Sequence, residues 1–202
     1  MESPDSFQTI KSPSKIEIKI KGSKFIGQAI PCADEAEAEE LLEAVRREYY
    51  DATHNCFAYR VGIGRGERFR YSDAGEPSGT AGKPIYDQIE GKSLSDLAVI
   101  VTRYFGGTKL GTGGLTHAYS ESAAKAIEQA GIIEKFITEE ISMTVQFPDY
   151  SVVERAVHQH DGRVVDSEFS DVVRLKIEIR RSSTDRLKDK LINITSGRVA
   201  FE

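Results

Sequence analysis

The sequence predicts an α+β protein with two domains in 202 residues. Three observations carry that prediction. A continuously apolar run, LAVIV at 97–101, leads into a glycine-rich loop and then a long helical stripe, the pattern of a central strand covered by a helix. Near residue 136 the texture changes to short alternating strands. From there the elements follow the order β-α-β-β-α-β. That order is the ferredoxin-like plan, which has its own sheet and helix layer. Residues 15–135 and 136–202 are therefore expected as separate domains.

Residues 1–14 are polar, with Ser-Pro at 3–4 and 12–13, and are expected as a loose arm. KIEIKIK (15–21) alternates isoleucine with charge, the period of a half-buried strand. KFIGQAI follows Gly22 as its hairpin partner. Asp34 and Glu37 form a capping box for a helix whose apolar face is Ala38, Leu41, Leu42 and Val45. CFAYRVG (56–62) and RFRYS (68–72) read as strands joined by a glycine-rich turn, and 84–89 as a short helix. After the glycine loop, Leu115, Ala118, Tyr119, Ser122, Ala123, Ala126, Ile127 and Ala130 recur at three- and four-residue steps, and Gly131 ends the helix. In the second domain ISMTVQF is a strand and DYSVVERAVHQH a helix capped by Asp149. RVVDSEF and VVRLKIEIR are strands, STDRLKDKLINI is a helix and GRVAFE a last strand.

Composition bounds the function. The net charge is −5, from 27 basic and 32 acidic residues, which argues against nucleic-acid binding through bulk electrostatics but leaves room for a local basic patch. The first residues lack the apolar core of a signal peptide, and no run reaches the length of a membrane span. Cys32 and Cys56 make no disulfide framework. A cytoplasmic chain without metal, cofactor or membrane partner is expected.

Five of the 17 glycines lie between Gly106 and Gly114. Such clustering marks a sharp bend or a close approach. Exposed amides of Gly106, Gly107, Gly111, Gly113 and Gly114, with Arg103, Lys109 and Lys83 nearby, could cradle a phosphate. The spacing matches neither a P-loop nor the dinucleotide fingerprint, and the same glycines would serve a tight strand-to-helix connection. A second loop, DAGEPSGTAGKP at 73–84, offers Asp73, Glu76, Ser78 and Thr80 for acid–base or cation chemistry, or as ordinary turn residues. His54 and Cys56 share one face of a strand, as a metal pair or as packed core. Arg60, Arg65, Arg68 and Arg70 interleave with aromatics, either to grip nucleic acid or as the two faces of a ribbon.

Taken together, ATHNCFAYR (52–60), YSDAGEPSGTAGKPI (71–85) and VIVTRYFGGTKLGTGGLTHAY (99–119) resemble the IMPACT family, specifically its two-domain bacterial members of the YigZ type. The resemblance implies an N-terminal domain like domain 2 of ribosomal protein S5 and a ferredoxin-like C-terminal domain similar to modules of elongation factor G. It implies a non-enzymatic role in regulating translation, with RNA, the ribosome or a translation-regulatory protein as partner. Carried over residue by residue, it picks out a cleft of His54, Asp73, Glu76, Thr80, Arg103, Tyr104, Lys109 and the loop glycines. Bacterial relatives usually have arginine where this chain has His117, which removes a permanent charge beside the loop. In this reading Arg103 and Lys109 contact phosphate, and affinity falls steeply with salt. The competing readings are a small enzyme on a phosphorylated metabolite, with His54 or Glu76 as general base, and a pure protein-interaction module. The enzyme needs His54 and Glu76 to converge.

Overall fold

The computed structural model describes residues 5–202. Residues 7–135 form one unit, and residues 136–202 with Asp5 and Ser6 form another. The fold is α+β in both.

The first unit is a five-stranded sheet formed by β2 (Ser14–Ile20), β3 (Ser23–Pro31), β4 (His54–Val61), β5 (Arg68–Ser72) and β6 (Leu97–Tyr104). The spatial order is β2-β3-β6-β4-β5, and every neighbouring pair is antiparallel. The central position of β6 explains its unbroken apolar run, because both faces are covered. One face packs on α2 (Gly82–Glu90) and α3 (Gly111–Ala130), through Phe25, Cys56, Val99, Val101 and Tyr119. The other face packs on α1 (Glu35–Glu48), through Phe57, Tyr59, Ala98 and Ile100. All eight residues of the predicted α3 stripe are buried, and Gly131 follows the helix at φ 71°.

Two local expectations change. The segment expected as a loose arm contains β1 (Ser6–Ile10), which pairs with β7 (Ile132–Phe136). Thr9 and Ile10 are fully buried there, and that burial outweighs a polar composition; the first four residues of the arm lie outside the described ones. At α1, Asp34 accepts from the Glu37 amide at 2.8 Å as a cap should. The return bond from Glu37 goes instead to the Ala33 amide, at 2.7 Å.

The second unit is a four-stranded sheet of β8 (Thr138–Val145), β9 (Arg163–Phe169), β10 (Val173–Arg180) and β11 (Ala200–Phe201). Its order β11-β8-β10-β9 is the antiparallel ferredoxin-like arrangement. Helices α4 (Tyr150–Gln159) and α5 (Thr184–Ile194) supply Val153, Val157, Leu187 and Leu191 to its core. The last strand is two residues long rather than six. Asp149 does not cap α4; both its oxygens accept from Arg198, at 2.9 and 2.7 Å.

Candidate functional site

A cleft of about 420 Å³ opens at one end of the first unit's sheet, lined by His54, Glu76, Pro77, Arg103, Phe105 and Lys109, among others. Its size falls in the usual range for ligand pockets, roughly 300–1,000 Å³, and a mostly apolar lining with a few convergent polar groups is also typical of them. The register builds it. His54 lies opposite Arg103 where β4 pairs with β6, and the loop after β5 delivers Glu76 between them and α3.

Glu76 is the hub. Its Oε1 accepts from Arg103 Nη1 at 2.5 Å and from the Tyr119 hydroxyl at 2.9 Å, and His54 Nε2 lies 3.8 Å away. The Glu76 and Arg103 side chains are only 3% and 6% exposed, so this is a buried ion pair. Burial pushes the Tyr119 phenol far above its ordinary range, which keeps it protonated and donating. Arg103 also donates from Nη2 to Ser23 Oγ at 3.3 Å. Its guanidinium sits between the rings of Phe25 and Phe105, at 5.5 and 5.6 Å, and its Nε–H has no partner among the described residues. His54 donates from Nδ1 to the Ala74 carbonyl at 2.9 Å, so a neutral ring has its lone pair on Nε2. Neighbouring Cys56 donates to the Asp73 carbonyl, and burial pushes its thiol up to about 12. Both members of the H-x-C pair thus hold the 73–76 loop.

The sequence-derived site divides. His54, Glu76, Arg103, Lys109 and Gly111 line the cleft. Asp73 does not form its wall: its carboxylate accepts from the amides of Gly79, Ala81 and Gly82 at 2.8–2.9 Å. It staples its own loop to the start of α2. Thr80 closes a turn onto the Pro77 carbonyl, and Lys83 pairs with Asp87 on the exposed side of α2. Tyr104 donates to Asp51 at 2.7 Å and carries Lys24 over its ring. His117 faces outward on α3 beside Glu121. None of these five lines the cleft.

The glycines divide as well. A Cβ on Gly106 would stand 1.9 Å from the Gly22 carbonyl carbon, so Gly106 exists to let two backbones cross. A Cβ on Gly107, Gly111 or Gly113 would meet nothing within 4 Å. These three border open space at the start of a 20-residue helix that has no side-chain cap. A Cβ on Gly114 would meet Leu110 at 3.0 Å. Sequence reasoning missed Phe105, Leu110 and Leu115 as lining residues, and only the aromatic at 105 carried any signal. Arg103 was expected to contact phosphate, but its charge is matched inside the protein by Glu76.

These features define a class: a two-domain α+β protein with a ligand-sized cleft at one end of its N-terminal sheet. Comparison with known proteins names the family. Residues 21–127 match the Impact N-terminal domain, and residues 143–198 match a domain of unknown function, DUF1949. The chain is 30% identical to IMPACT family member YvyE of Bacillus subtilis, over 96% of this chain and 88% of that protein. It is also 30% identical to IMPACT family member YigZ of Escherichia coli, over 92% of each. A solved structure described as "Crystal structure of an hypothetical protein" superposes with a TM-score of 0.74 at 29% identity, covering 98% of this chain and 97% of that one. The chain belongs to the IMPACT family. Among its described residues, no helix is long and apolar enough to cross a membrane.

Proposed function

We propose that this chain is a non-enzymatic, translation-associated protein that binds RNA or a ribosome-linked partner through the cleft at the start of α3. One observation carries the reading. Exposed Lys109 has no ion-pair partner among the described residues and stands beside an uncapped helix start with three glycines open to approach. A lysine point charge and free first-turn amides together suit a phosphate. Arg103 has a different role: paired with Glu76, it braces the cleft floor. Removing one partner of a buried pair costs about 3–5 kcal/mol, so Arg103→Ala would report on folding rather than on binding. Lys109→Ala is the clean test. Pull-down of ribosomes and structured RNA at low salt is expected to succeed for the parent chain and to weaken several-fold for Lys109→Ala. No capture at any salt concentration refutes the reading.

One observation favours a second reading, a small enzyme on a phosphorylated metabolite. His54 Nε2 and Glu76 Oε1 lie 3.8 Å apart on the same cleft, which puts both candidate bases beside one bound substrate. Screening phosphorylated metabolites for turnover, with His54→Gln as control, separates the two. Turnover that is lost in His54→Gln would establish the enzyme.

A further inference from the structure

The polar groups of the cleft do more than attract phosphate. All the Glu76 contacts described above fall on Oε1, so Oε2 is left with acceptor capacity. His54 Nδ1 is committed to the Ala74 carbonyl, which in the neutral ring leaves Nε2 as a second acceptor on the same cleft. The buried pair with Arg103 holds Glu76 in place, and the bond to the Ala74 carbonyl holds His54. Phe105 lines the cleft and is 48% exposed, and the Arg103 guanidinium lies 5.6 Å from its ring centre. A half-exposed aromatic backed by a guanidinium is a stacking platform.

A planar ligand whose edge donates hydrogen bonds and which carries a phosphate fits this set. We infer that the cleft accepts one unpaired nucleobase, stacked on Phe105, with its amino edge on Glu76 Oε2 and His54 Nε2 and its phosphate against Lys109. This rests on the phosphate-led reading proposed above and narrows it, because a base inside a duplex could not enter. A carboxylate beside a second acceptor favours an edge with two adjacent donors, so guanine, with N1–H beside N2–H2, is preferred over adenine, cytosine and uracil, each of which sets an acceptor beside its donor. The same chemistry could come from a strand of RNA or from a free 5′-mononucleotide.

The test titrates the full chain with a single-stranded ribo-oligonucleotide containing 2-aminopurine, with the same strand in a duplex, and with the four 5′-mononucleotides. Quenching of the aminopurine and binding about tenfold tighter for single strand than for duplex are expected. Phe105→Leu should remove most of that preference and Phe105→Tyr should restore it. Because Phe105 is half exposed, the fold should survive both changes, which circular dichroism checks. Lys109→Ala should weaken single strand and duplex alike. Tight mononucleotide binding would identify a free nucleotide as the source, whereas binding of oligonucleotides alone would identify a strand. Equal binding of single strand and duplex, unchanged in Phe105→Leu, overturns the nucleobase inference and leaves the phosphate reading standing. Failure of every nucleic acid to bind overturns both.

Discussion

At Gly106 the β2–β3 turn and the loop after β6 touch backbone to backbone, and no side chain fits between them. A Cβ there would press on Gly22 carbonyl carbon, oxygen and the next amide, at 1.9–2.2 Å. Backbone atoms on two connected strands cannot move aside as a flexible side chain can. Gly106→Ala is therefore expected to cost at least the upper end of the overpacking range, about 3 kcal/mol. Gly113→Ala is the contrast. Its Cβ meets nothing within 4 Å and it lies in the first turn of α3, so the change should stabilise the fold by about 0.4–1 kcal/mol. Urea unfolding of the two variants checks both signs. A near-neutral Gly106→Ala would show that the crossing is looser than described. The sequence marked both residues equally, since a glycine's spelling does not say whether its missing Cβ makes room for the protein or for something else.

Helix α4 forms where its period predicts it, but the start of the helix is held differently from expectation. Asp149 precedes the helix as a cap would, but its carboxylate turns to Arg198 near the end of the chain, tying the start of α4 to the approach of β11. Hydrogen bonding from Arg198 holds the Asp149 carboxyl below its ordinary value of 3.8. A carboxyl whose folded-state value is depressed stabilises the fold above its unfolded value and loses that contribution as pH falls through the folded one. Arg198→Ala is thus expected to lower the unfolding temperature of the parent chain near neutral pH, with the difference shrinking below about pH 3.8. Thermal melts of both proteins across acid pH measure this. A difference that persists undiminished at the most acid end would mean that packing of the arginine stem, not the ion pair, does the stabilising. Sequence reading could place the helix from its 3.6-residue period, but a partner 49 residues away leaves no periodic trace.

For the molecule as a whole, charge decides how binding must work. The chain carries −5, and on the open face of the second unit's sheet three cations are matched by carboxylates, while Arg180 lies over the Phe136 ring. Lys176 pairs with Glu140, Arg174 with Glu168 and Arg163 with Glu178. With Arg103 neutralised by Glu76, Lys109 is the one lysine or arginine lining the cleft that is left to meet phosphate. The steep salt dependence expected from the sequence therefore becomes a shallow one. The log–log slope for single-stranded RNA should be no steeper than about −2, and Lys109→Ala should reduce it by about 0.7. Lys176→Ala should leave it unchanged. Fluorescence titrations across a salt series measure all three, and a steep slope retained in Lys109→Ala would point to a different surface.

The family, the α+β class, the α3 stripe and the ferredoxin-like order were all legible in the amino-acid sequence, because they rest on local period and on ordered motifs. LAVIV is apolar throughout because β6 sits centrally, and burial on both faces writes itself into consecutive residues. The composition of the cleft was legible only in part: His54, Glu76, Arg103, Lys109 and Gly111 were named, while Phe105, Leu110 and Leu115 were not. His54, Glu76, Arg103 and Tyr119 are drawn from two strands, a loop and a helix, and only antiparallel pairing of β4 with β6 brings the first and third level. Asp73 and Glu76 are both acids in one loop. Backbone amides captured one and a buried guanidinium the other, and that division depends on where the chain folds back. The glycine-rich loop identified the family from sequence alone, but which glycines pack and which lie open was decided by the tertiary structure, since the space around a missing Cβ is set by residues distant in the chain.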